Sequence, residues 1–400
     1  IGNHGIGAYG TLSNYGINSS VLYGTPTNGT SVPLILNNIA NATLTWETTE
    51  QSNIGVDFSL ADGLVTGTVD AYDKTTKDLL VSSNIAPSTG FSNLIVNRGE
   101  LSNKGLEIAL QVNPISTDDL DISFGGNIAF NETRIEGLSS QPLSPILIDG
   151  SYEDRRFYLG NTISRGNYFK YPANIFIEGE ETALFYGFET DGIYQTGDTT
   201  VGGAQAGDVR IIDQNGDNII DISDRTIIGN PNPDYTFGIN LSVRYKSFSL
   251  SALVNGVYGN DIVNGNLIQM GNAEGLFRNI LSDAYHGAWR PEKPSNSYPR
   301  IGYLGNDGPE FLAISDRYVE DGSYLRLNNV TLGYDLPINE NNTIKGANIY
   351  VTGQNLLTLT NYSGYDPEIT SFMWTGLISG VDWNGPPNSR NILIGLNLNF

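Results

Sequence analysis

The chain has 400 residues, and its 21 Lys and Arg against 43 Asp and Glu give a formal net charge of −22. This acidic balance argues against a nucleic-acid partner, because neutralising phosphates needs an excess of Lys and Arg. The absence of Cys excludes disulfides, thiolate catalysis and Cys-zinc sites, and two His are too few for a His-rich metal centre.

Alternation of apolar and polar residues predicts most of the secondary structure. In Tyr235–Tyr245 the odd positions are apolar or aromatic, whereas the even positions are polar or Gly. Successive side chains of a strand point to opposite faces, so such a segment has one apolar and one polar face. On this basis we predict an all-β, antiparallel chain. The predicted strands lie near residues 6–13, 15–22, 53–61, 64–73, 104–113, 121–131, 235–245, 248–258, 324–335, 347–356 and 390–400.

The length of these segments favours a transmembrane β-barrel over a soluble β-sandwich. Strands of soluble proteins average about 5–6 residues, whereas a strand that crosses a bilayer needs about 9–11. Aromatic residues such as Tyr245, Phe248 and Phe400 also lie near the ends of the apolar faces, where an interfacial girdle would place them. The sequence has no apolar run long enough to predict a transmembrane helix.

The connections between the predicted strands alternate in length, as in outer-membrane barrels, which have short periplasmic turns and long external loops. The short connections are 61–63, 114–120, 246–247 and 336–346, and the long ones are 74–104, 132–234, 259–323 and 357–389. Eleven strands is an odd number, whereas single-chain bacterial barrels have even numbers. We therefore expect either a further pair around Phe185–Tyr194 or a chain that is the C-terminal part of a larger barrel, with residues 1–400 in one barrel domain.

Several segments from about residue 50 onward resemble SusC/RagA-type TonB-dependent transporters, and they keep the order of that family. They are Phe185–Tyr194, Asp213–Pro233, Ser315–Tyr324, Tyr324–Pro337, Ile349–Glu368 and the aromatic-ending terminus Ile394–Phe400. The resemblance implies a 22-stranded barrel around a plug, a SusD-like surface lipoprotein as lid, and energy from the TonB complex. It also implies the outer membrane of a Gram-negative bacterium of the Bacteroidota. The chain itself shows neither the plug nor enough strands for such a barrel.

One acidic loop has the spacing of a cation site. Oxygen-bearing side chains occupy its positions 1, 3, 5, 9 and 12, and a backbone carbonyl would serve position 7, a pattern that wraps a loop around one Ca²⁺. The residues are Asp213, Asn215, Asp217, Asp221 and Asp224, with the carbonyl of Ile219. We predict a structural Ca²⁺ site within residues 207–229, with Mg²⁺ as the alternative ion and a solvated acidic turn as the alternative structure. Position 6 is Asn218 where Gly is usual, and Asn tolerates the left-handed region better than most residues.

Catalytic arrangements are not evident, so we predict that the chain is not an enzyme. His4 lies near the start of the chain and His286 lies in a long loop, and neither has a nucleophile motif nearby. The aromatic-rich external segments could instead stack on sugar rings or pack against a lid protein. Within them we predict substrate or lid contact for Trp289, Trp374 and Trp383.

Together these patterns predict part of the wall of a TonB-dependent importer that is surrounded by outer-membrane lipid and takes up oligosaccharides or peptides. Two alternatives stay open. One is a smaller, self-contained outer-membrane pore or adhesin. The other is a secreted all-β carbohydrate-binding or hydrolase domain. Sugar and peptide importers of this kind look alike in sequence, so the substrate is not identified.

Overall fold

The structure is a computed structural model, and it describes the chain in a series of ranges. These are residues 11–17, 34–84, 89–91, 93–97, 99–138, 147–148, 151–152, 157–159, 171–271, 279–302, 313–338, 344–368, 371 and 378–400.

The described elements are almost all strands. In chain order they are β1 (Tyr15–Ile17), β2 (Leu34–Leu36), β3 (Thr48–Leu60), β4 (Val65–Lys77), β5 (Leu80–Asn84), β6 (Asn93–Asn97), β7 (Glu100–Ser116), β8 (Leu120–Gly137), β9 (Leu147–Ile148), β10 (Ser151–Tyr152), β11 (Phe157–Leu159), β12 (Asn174–Ile177), β13 (Leu184–Phe188), β14 (Thr190–Ile193), β15 (Val209–Ile211), β16 (Arg225–Gly229), β17 (Tyr235–Tyr245), β18 (Phe248–Tyr258), β19 (Asp261–Asn264), β20 (Val319–Asp321), β21 (Tyr324–Leu336), β22 (Gly346–Thr360), β23 (Val381–Asp382) and β24 (Asn391–Asn399). Short helices are α1 (Gly265–Met270) and α2 (Ser282–Gly287), and 3₁₀ turns cover Ile222–Asp224 and Asp316–Tyr318. Among the described residues no helix has the length and apolar character needed to cross a membrane.

Nine long strands form one large antiparallel sheet. Their order is β24-β22-β21-β18-β17-β8-β7-β4-β3, so each strand pairs with the sheet strands next to it in the chain. The predicted all-β class and nine of the predicted strands are thereby confirmed, and β17 and β18 have the predicted bounds. Within the described residues the sheet is open, because β3 and β24 each have one edge without a partner strand.

Two predicted segments do not join the large sheet where the structure describes them. Of the segment predicted at 15–22, Tyr15–Ile17 pairs with Leu34–Leu36 in a separate small sheet, and residues 18–22 lie outside the described residues. The pair predicted around Phe185–Tyr194 forms β13 and β14, which also belong to small separate sheets. The physical reason is burial, since β13 is buried at four of its five positions and lacks the two-faced character of a barrel strand. Most of the segment predicted at 6–13 lies outside the described residues.

The buried core lies in the long connections and not on the large sheet. We call the described parts of connections 157–234, 259–323 and 361–390 the loop module. It contains a four-stranded sheet (β11-β12-β13-β16), a three-stranded sheet (β20-β19-β23) and the pair β14-β15. Its main apolar cluster draws on all three connections, with Phe185 from the first, Val263 from the second and Val381 from the third, each without solvent exposure. Burial of such side chains stabilises the module by about 1.5–3 kcal/mol each.

Candidate functional site: a two-faced wall and its loop module

One face of the large sheet is apolar and is not covered by other described residues. Strand register aligns Leu241 with Phe124 on one neighbour and with Ala252 on the other. Leu332 and Ile394, on the same face, are 58% and 78% exposed. Phe237, Leu241 and Leu250 are only partly buried, and Leu396 is exposed. So large an exposed apolar surface needs a non-aqueous neighbour.

The opposite face is lined by amides and hydroxyls. Gln111 donates to the hydroxyl of Ser123 (Nε2 to Oγ, 2.5 Å), and the hydroxyls of Thr331 and Thr352 lie 2.9 Å apart. Other members of this face are Asn53, Thr66, Thr68, Asn127, Asn240, Ser242, Ser249, Ser251, Asn329, Gln354 and Asn397. Such a face is suited to water or to a polar solute.

The charged side chains on the polar face are mostly acidic. Asp70 lies directly opposite Glu107 on the neighbouring strand. The other acidic members are Asp57, Asp121 and Asp335. The strand register places three cations on the same face, Lys74, Arg244 and Arg326. Like charges directly opposite each other repel, so the face attracts cations and disfavours anionic solutes.

Glycines flatten the polar face because side chains from neighbouring strands lie across them. The ring of Tyr72 lies over Gly105, and its hydroxyl donates to Asn131 (2.6 Å to Oδ1). The ring of Tyr350 covers Gly395 in the same way. A Cβ at either glycine would collide with the ring above it, so these positions require Gly for packing and not for turning.

An ionic cluster fastens the loop module to the sheet, and it is buried at Arg326 and Asp366 but exposed at Glu368. Arg326 on β21 is 2% exposed, and its guanidinium contacts both Asp366 (Nη2 to Oδ1, 2.6 Å) and Glu368 from the connection that follows β22. Tyr324 donates to Glu368 (2.8 Å), and Asn388 donates to Asp366 (2.7 Å). Each carboxylate thus has several donors, which a buried ion pair needs in order to offset its desolvation.

Two facing carboxylates lie in the loop module close to the end of β18. Asp261 and Asp321 are register partners on β19 and β20. Burial raises the pKa of Asp261, and the charge of Asp321 raises it further, against the hydrogen bond from the Asn230 N–H. Hydrogen bonds from Ser323 lower the pKa of Asp321. Asp261 therefore holds its proton more strongly than Asp321 does.

A second polar cluster joins the second and third connections of the module. Asp382 has no solvent exposure and accepts hydrogen bonds from Tyr362 (2.7 Å), from Asn266 (3.0 Å) and from the Gly385 N–H (3.1 Å). Burial, followed by the hydrogen bond to Asp382, raises the pKa of Tyr362 well above its usual range. The phenol therefore stays a donor at every physiological pH.

The acidic loop adopts a wrapped backbone. Both oxygens of Asp213 accept backbone N–H groups, Oδ1 from Gly216 and Oδ2 from Asn218, each at 2.7 Å. Asn218 has φ of 64°, so Asn occupies the left-handed position where Gly is usual. Asp224 is fully buried and accepts the N–H groups of Gln214 (3.0 Å) and Asp221 (2.8 Å).

The loop has the donor chemistry for a hard cation, but its acidic side chains alone are not gathered around one point. Asn215 and Asp217 also accept the N–H groups two residues onward, at 2.9 and 2.7 Å. Within the described residues, no group of three or more His, Cys, Asp or Glu side chains is arranged to hold a metal ion. A bound ion would therefore also need the amide oxygen of Asn215 and the carbonyl of Ile219, so the Ca²⁺ site stays a prediction.

The tryptophans predicted to contact substrate or lid are buried where the structure describes them. Trp289 is 6% exposed and donates to Gln195 (2.9 Å), while Trp383 is 5% exposed and packs in the main cluster of the loop module. Because both side chains are buried, they are not placed to contact a substrate or a lid as predicted. Their rings instead pack inside the loop module. Trp374 lies outside the described residues, as does His4. His286 lies in the last turn of α2 with its ring against Tyr285.

Sequence reasoning missed the Arg326 cluster and the Asp261–Asp321 pair. The signal for the first was a lone Arg between Leu325 and Leu327 on an otherwise two-faced strand. No pattern in the sequence links that Arg to carboxylates 40 and 42 residues away. Pairing across such separations comes from tertiary structure only.

Comparison with known proteins identifies the family of this two-faced sheet. The family model described as "TonB dependent receptor-like, beta-barrel" matches residues 7–356. The chain belongs to this TonB-dependent receptor family. The resemblance drawn from sequence segments is thereby confirmed, and so is the transmembrane antiparallel barrel as the fold class.

Curated relatives of the TonB-dependent receptor chain are much longer than the chain itself. TonB-dependent receptor P3 of Formosa agariphila is 32% identical over 411 residues, which cover 100% of this chain and 38% of the relative. TonB-dependent receptor SusC of Bacteroides thetaiotaomicron is 30% identical over 366 residues, 90% of this chain and 32% of SusC. Both relatives are named as receptors.

A solved structure shares the fold of the TonB-dependent receptor chain. The RagAB peptide transporter aligns with 98% of this chain and 39% of its own chain, with a TM-score of 0.75 and 24% identity. As a TonB-dependent receptor the chain lies in the outer membrane, so the alternative of a secreted soluble domain is wrong. The open sheet and the partial coverage fit a portion of a larger barrel and not a small closed pore.

Proposed function

We propose that this chain forms part of the wall and external loops of a TonB-dependent importer that takes up an oligosaccharide or a peptide. The observation that carries the proposal is the large sheet with an exposed apolar face and an opposite face of amides and hydroxyls. In lipid, such a wall satisfies its backbone hydrogen bonds between strands, while its inner face borders a wet lumen. The chain does this without covalent chemistry.

The two unpaired edges support a larger barrel. An open strand edge within hydrocarbon leaves backbone donors and acceptors without partners, which membranes do not tolerate. β3 offers 13 residues at one edge and β24 offers 9 at the other. We therefore propose that further strands of the receptor pair with both edges, with the 22 strands and the internal plug that the sequence resemblance implies.

The proposed partners are a SusD-like surface lipoprotein and the TonB complex. The similarity to SusC and to the RagAB transporter supports both. The loop module adds a physical argument, because its own apolar core and the Arg326 cluster give a lid protein a preformed surface to rest on. A preformed surface lowers the entropic cost of docking.

The chemistry of the lumen face limits the class of cargo. Amide and hydroxyl groups can hydrogen-bond to sugar hydroxyls and to peptide groups alike. The acidic residues Asp57, Asp70 and Glu107 disfavour anionic solutes on electrostatic grounds. We propose neutral or cationic oligosaccharides or peptides as the cargo.

Deletion of the gene that carries this chain tests the proposal. The deletion strain is grown on single oligosaccharides and on peptides as sole nutrients, and ligand released from the purified receptor complex is identified by mass spectrometry. We expect loss of growth on one nutrient class, restored by the full-length gene, and recovery of that class from the complex. Wild-type uptake of every nutrient by the deletion strain would contradict the importer function.

We also propose that the loop from Asp213 to Asp224 binds Ca²⁺ and braces the approach to β17. The wrapped backbone and the left-handed Asn218 support this role. Ca²⁺ at about 100 times its dissociation constant would stabilise the folded loop by about 2.7 kcal/mol. Asp213→Ala should remove that stabilisation in thermal unfolding, while Asp118→Ala, an exposed acid on a short turn, should keep it. Equal stability with Ca²⁺ and with chelator would count against the site.

A further inference from the structure

A groove on the apolar face has the form of a binding site. It lies near the end of the sheet where the short turns are, and its volume is about 370 Å³. Four strands line it, β17, β18, β21 and β22, and its surface is almost wholly apolar. The loop module lies at the opposite end of these strands.

Strand register explains the shape of the groove. One wall is an aliphatic row in which Val243, Leu250, Leu332 and Val351 are successive partners across the four strands. The other wall is a bulkier row formed by Tyr245, Phe248, Tyr334 and Ile349 in the same register.

The floor between the two walls is backbone. It belongs to Ser249, Gly333 and Tyr350, whose register row lies between the walls and whose side chains belong to the opposite face. Gly333 has no side chain on either face. The aromatic pair Phe248 and Tyr334, with ring centroids 4.7 Å apart, raises one wall above this floor.

The membrane position of the groove decides the class of its occupant. The groove opens on the face that meets lipid, and short turns mark the periplasmic end of an outer-membrane barrel. The periplasmic leaflet consists of phospholipid. The exposed side chains Leu332 and Val351, at 58% and 41%, therefore face phospholipid acyl chains.

A cation lies at the headgroup end of the groove. Lys246, in the turn directly after Tyr245, has its Nζ 5.6 Å from the centroid of the Tyr245 ring. Among the described residues Lys246 forms no salt bridge. Its charge complements a lipid phosphate at the depth where an aromatic girdle meets the headgroups.

We propose that this groove is a specific phospholipid site, in which one acyl chain lies between the two rows and the phosphate lies near Lys246. The site goes beyond nutrient import and does not depend on the cargo. A lipid held there extends the contact of the barrel with the periplasmic leaflet across four neighbouring strands.

Photocrosslinking tests the site. The full-length receptor is reconstituted in nanodiscs of phosphatidylethanolamine that contain a trace of the same lipid with a diazirine on its acyl chain. After irradiation, adducts are mapped by mass spectrometry. We expect adducts on the β17–β18 and β21–β22 peptides well in excess of those on β3 and β4, although Ile54 and Val56 of β3 are at least as exposed as Leu332 and Val351.

Groove-filling variants supply the matched comparison. Val351→Phe should lower the groove adducts about tenfold, since displacing about two methylene groups removes their apolar burial. Val69→Phe on the same face of β4 should leave them unchanged. Leu332→Phe gives a second blocking variant, and mobility on unheated gels shows that each variant is folded.

Lys246→Gln should lower the adducts at the groove only. Uniform labelling of the apolar face, insensitivity to both blocking variants, or protection of the groove by a second copy of the receptor would overturn the proposal.

Discussion

At the scale of single residues, Arg326 shows how one buried charge fixes a loop in place. Its guanidinium joins a strand of the wall to two carboxylates of the connection after β22. Removing one partner of a buried pair leaves the other charge without compensation, and this costs more than the pair itself contributes.

Arg326→Met should therefore release the segment around Asp366 at a cost of about 3–5 kcal/mol. The measurement is hydrogen exchange of the peptide that contains Asp366 and Glu368 in the folded receptor. Lys77→Met is the control, because the exposed Lys77–Glu50 pair (3.6 Å) should contribute only about 0–1 kcal/mol. Unchanged protection of that peptide in Arg326→Met would contradict the anchoring role.

The contributions of Asp261 and Asp321 to stability should depend on pH in opposite directions. Because the folded pKa of Asp261 is raised, its contribution to stability is full below the unfolded value of about 3.9 and is lost as pH rises through the folded pKa. The folded pKa of Asp321 is lowered, so its contribution is present above about 3.9 and is lost as pH falls through the folded pKa.

Asp261→Asn should accordingly stabilise the loop module at neutral pH, and the gain should vanish below about pH 4. Asp321→Asn should destabilise it at neutral pH, since Asn accepts the Ser323 N–H less strongly than a carboxylate does. The measurement is the thermal unfolding of both variants between about pH 3 and pH 8, a range that covers the titration of a carboxyl group and the neutral region above it. Parallel pH profiles for the two variants would refute the assignment.

At the scale of elements, the long strands could be predicted because their alternation is set by lipid on one side and water on the other. β17 and β18 show this most clearly, since every register pair between them joins residues of like face. The small strands of the loop module could not be predicted in the same way. β13 is buried almost throughout, so its sequence has no polar face to mark its orientation.

The candidate site also has features that the sequence could predict and features that it could not. The apolar and polar faces follow from the period of a strand, and the wrapped acidic loop follows from spacing within 12 residues. The Arg326 cluster joins groups far apart in the chain, and the burial of Trp289 and Trp383 depends on how three connections pack together. Neither has a local signature.

Gly105→Ala tests the packing of a ring on a wall glycine. The added methyl would displace the ring of Tyr72 and break its hydrogen bond to Asn131 (2.6 Å), at a cost of about 1–3 kcal/mol. Gly126→Ala is the control, because a Cβ there meets only the Gly238 carbonyl, at 3.5 Å. Thermal unfolding of the receptor measures both.

The double variant Tyr72→Ala/Gly105→Ala should regain part of the stability lost in Gly105→Ala, because the colliding ring is absent. A strictly additive double variant would show that the ring and the glycine are independent.

At the scale of the whole molecule, the chain has two parts with different solvents. The wall exposes apolar side chains and has little buried core, whereas the loop module contains almost all of the fully buried apolar residues. A wall of this kind needs lipid outside and further strands at both edges, while the module can hold its form in water above the membrane.

Spin labels along β17 test the two-faced wall most directly. The chain contains no Cys, so single Cys variants at Phe237, Ile239 and Leu241 can be compared with variants at Asn240 and Ser242 in the reconstituted receptor. We expect alternation, with the first set more accessible to lipid-soluble oxygen and the second to a water-soluble nickel complex. Equal accessibility at successive positions, or protection of both sets from both reagents, would show that protein and not lipid covers the apolar face.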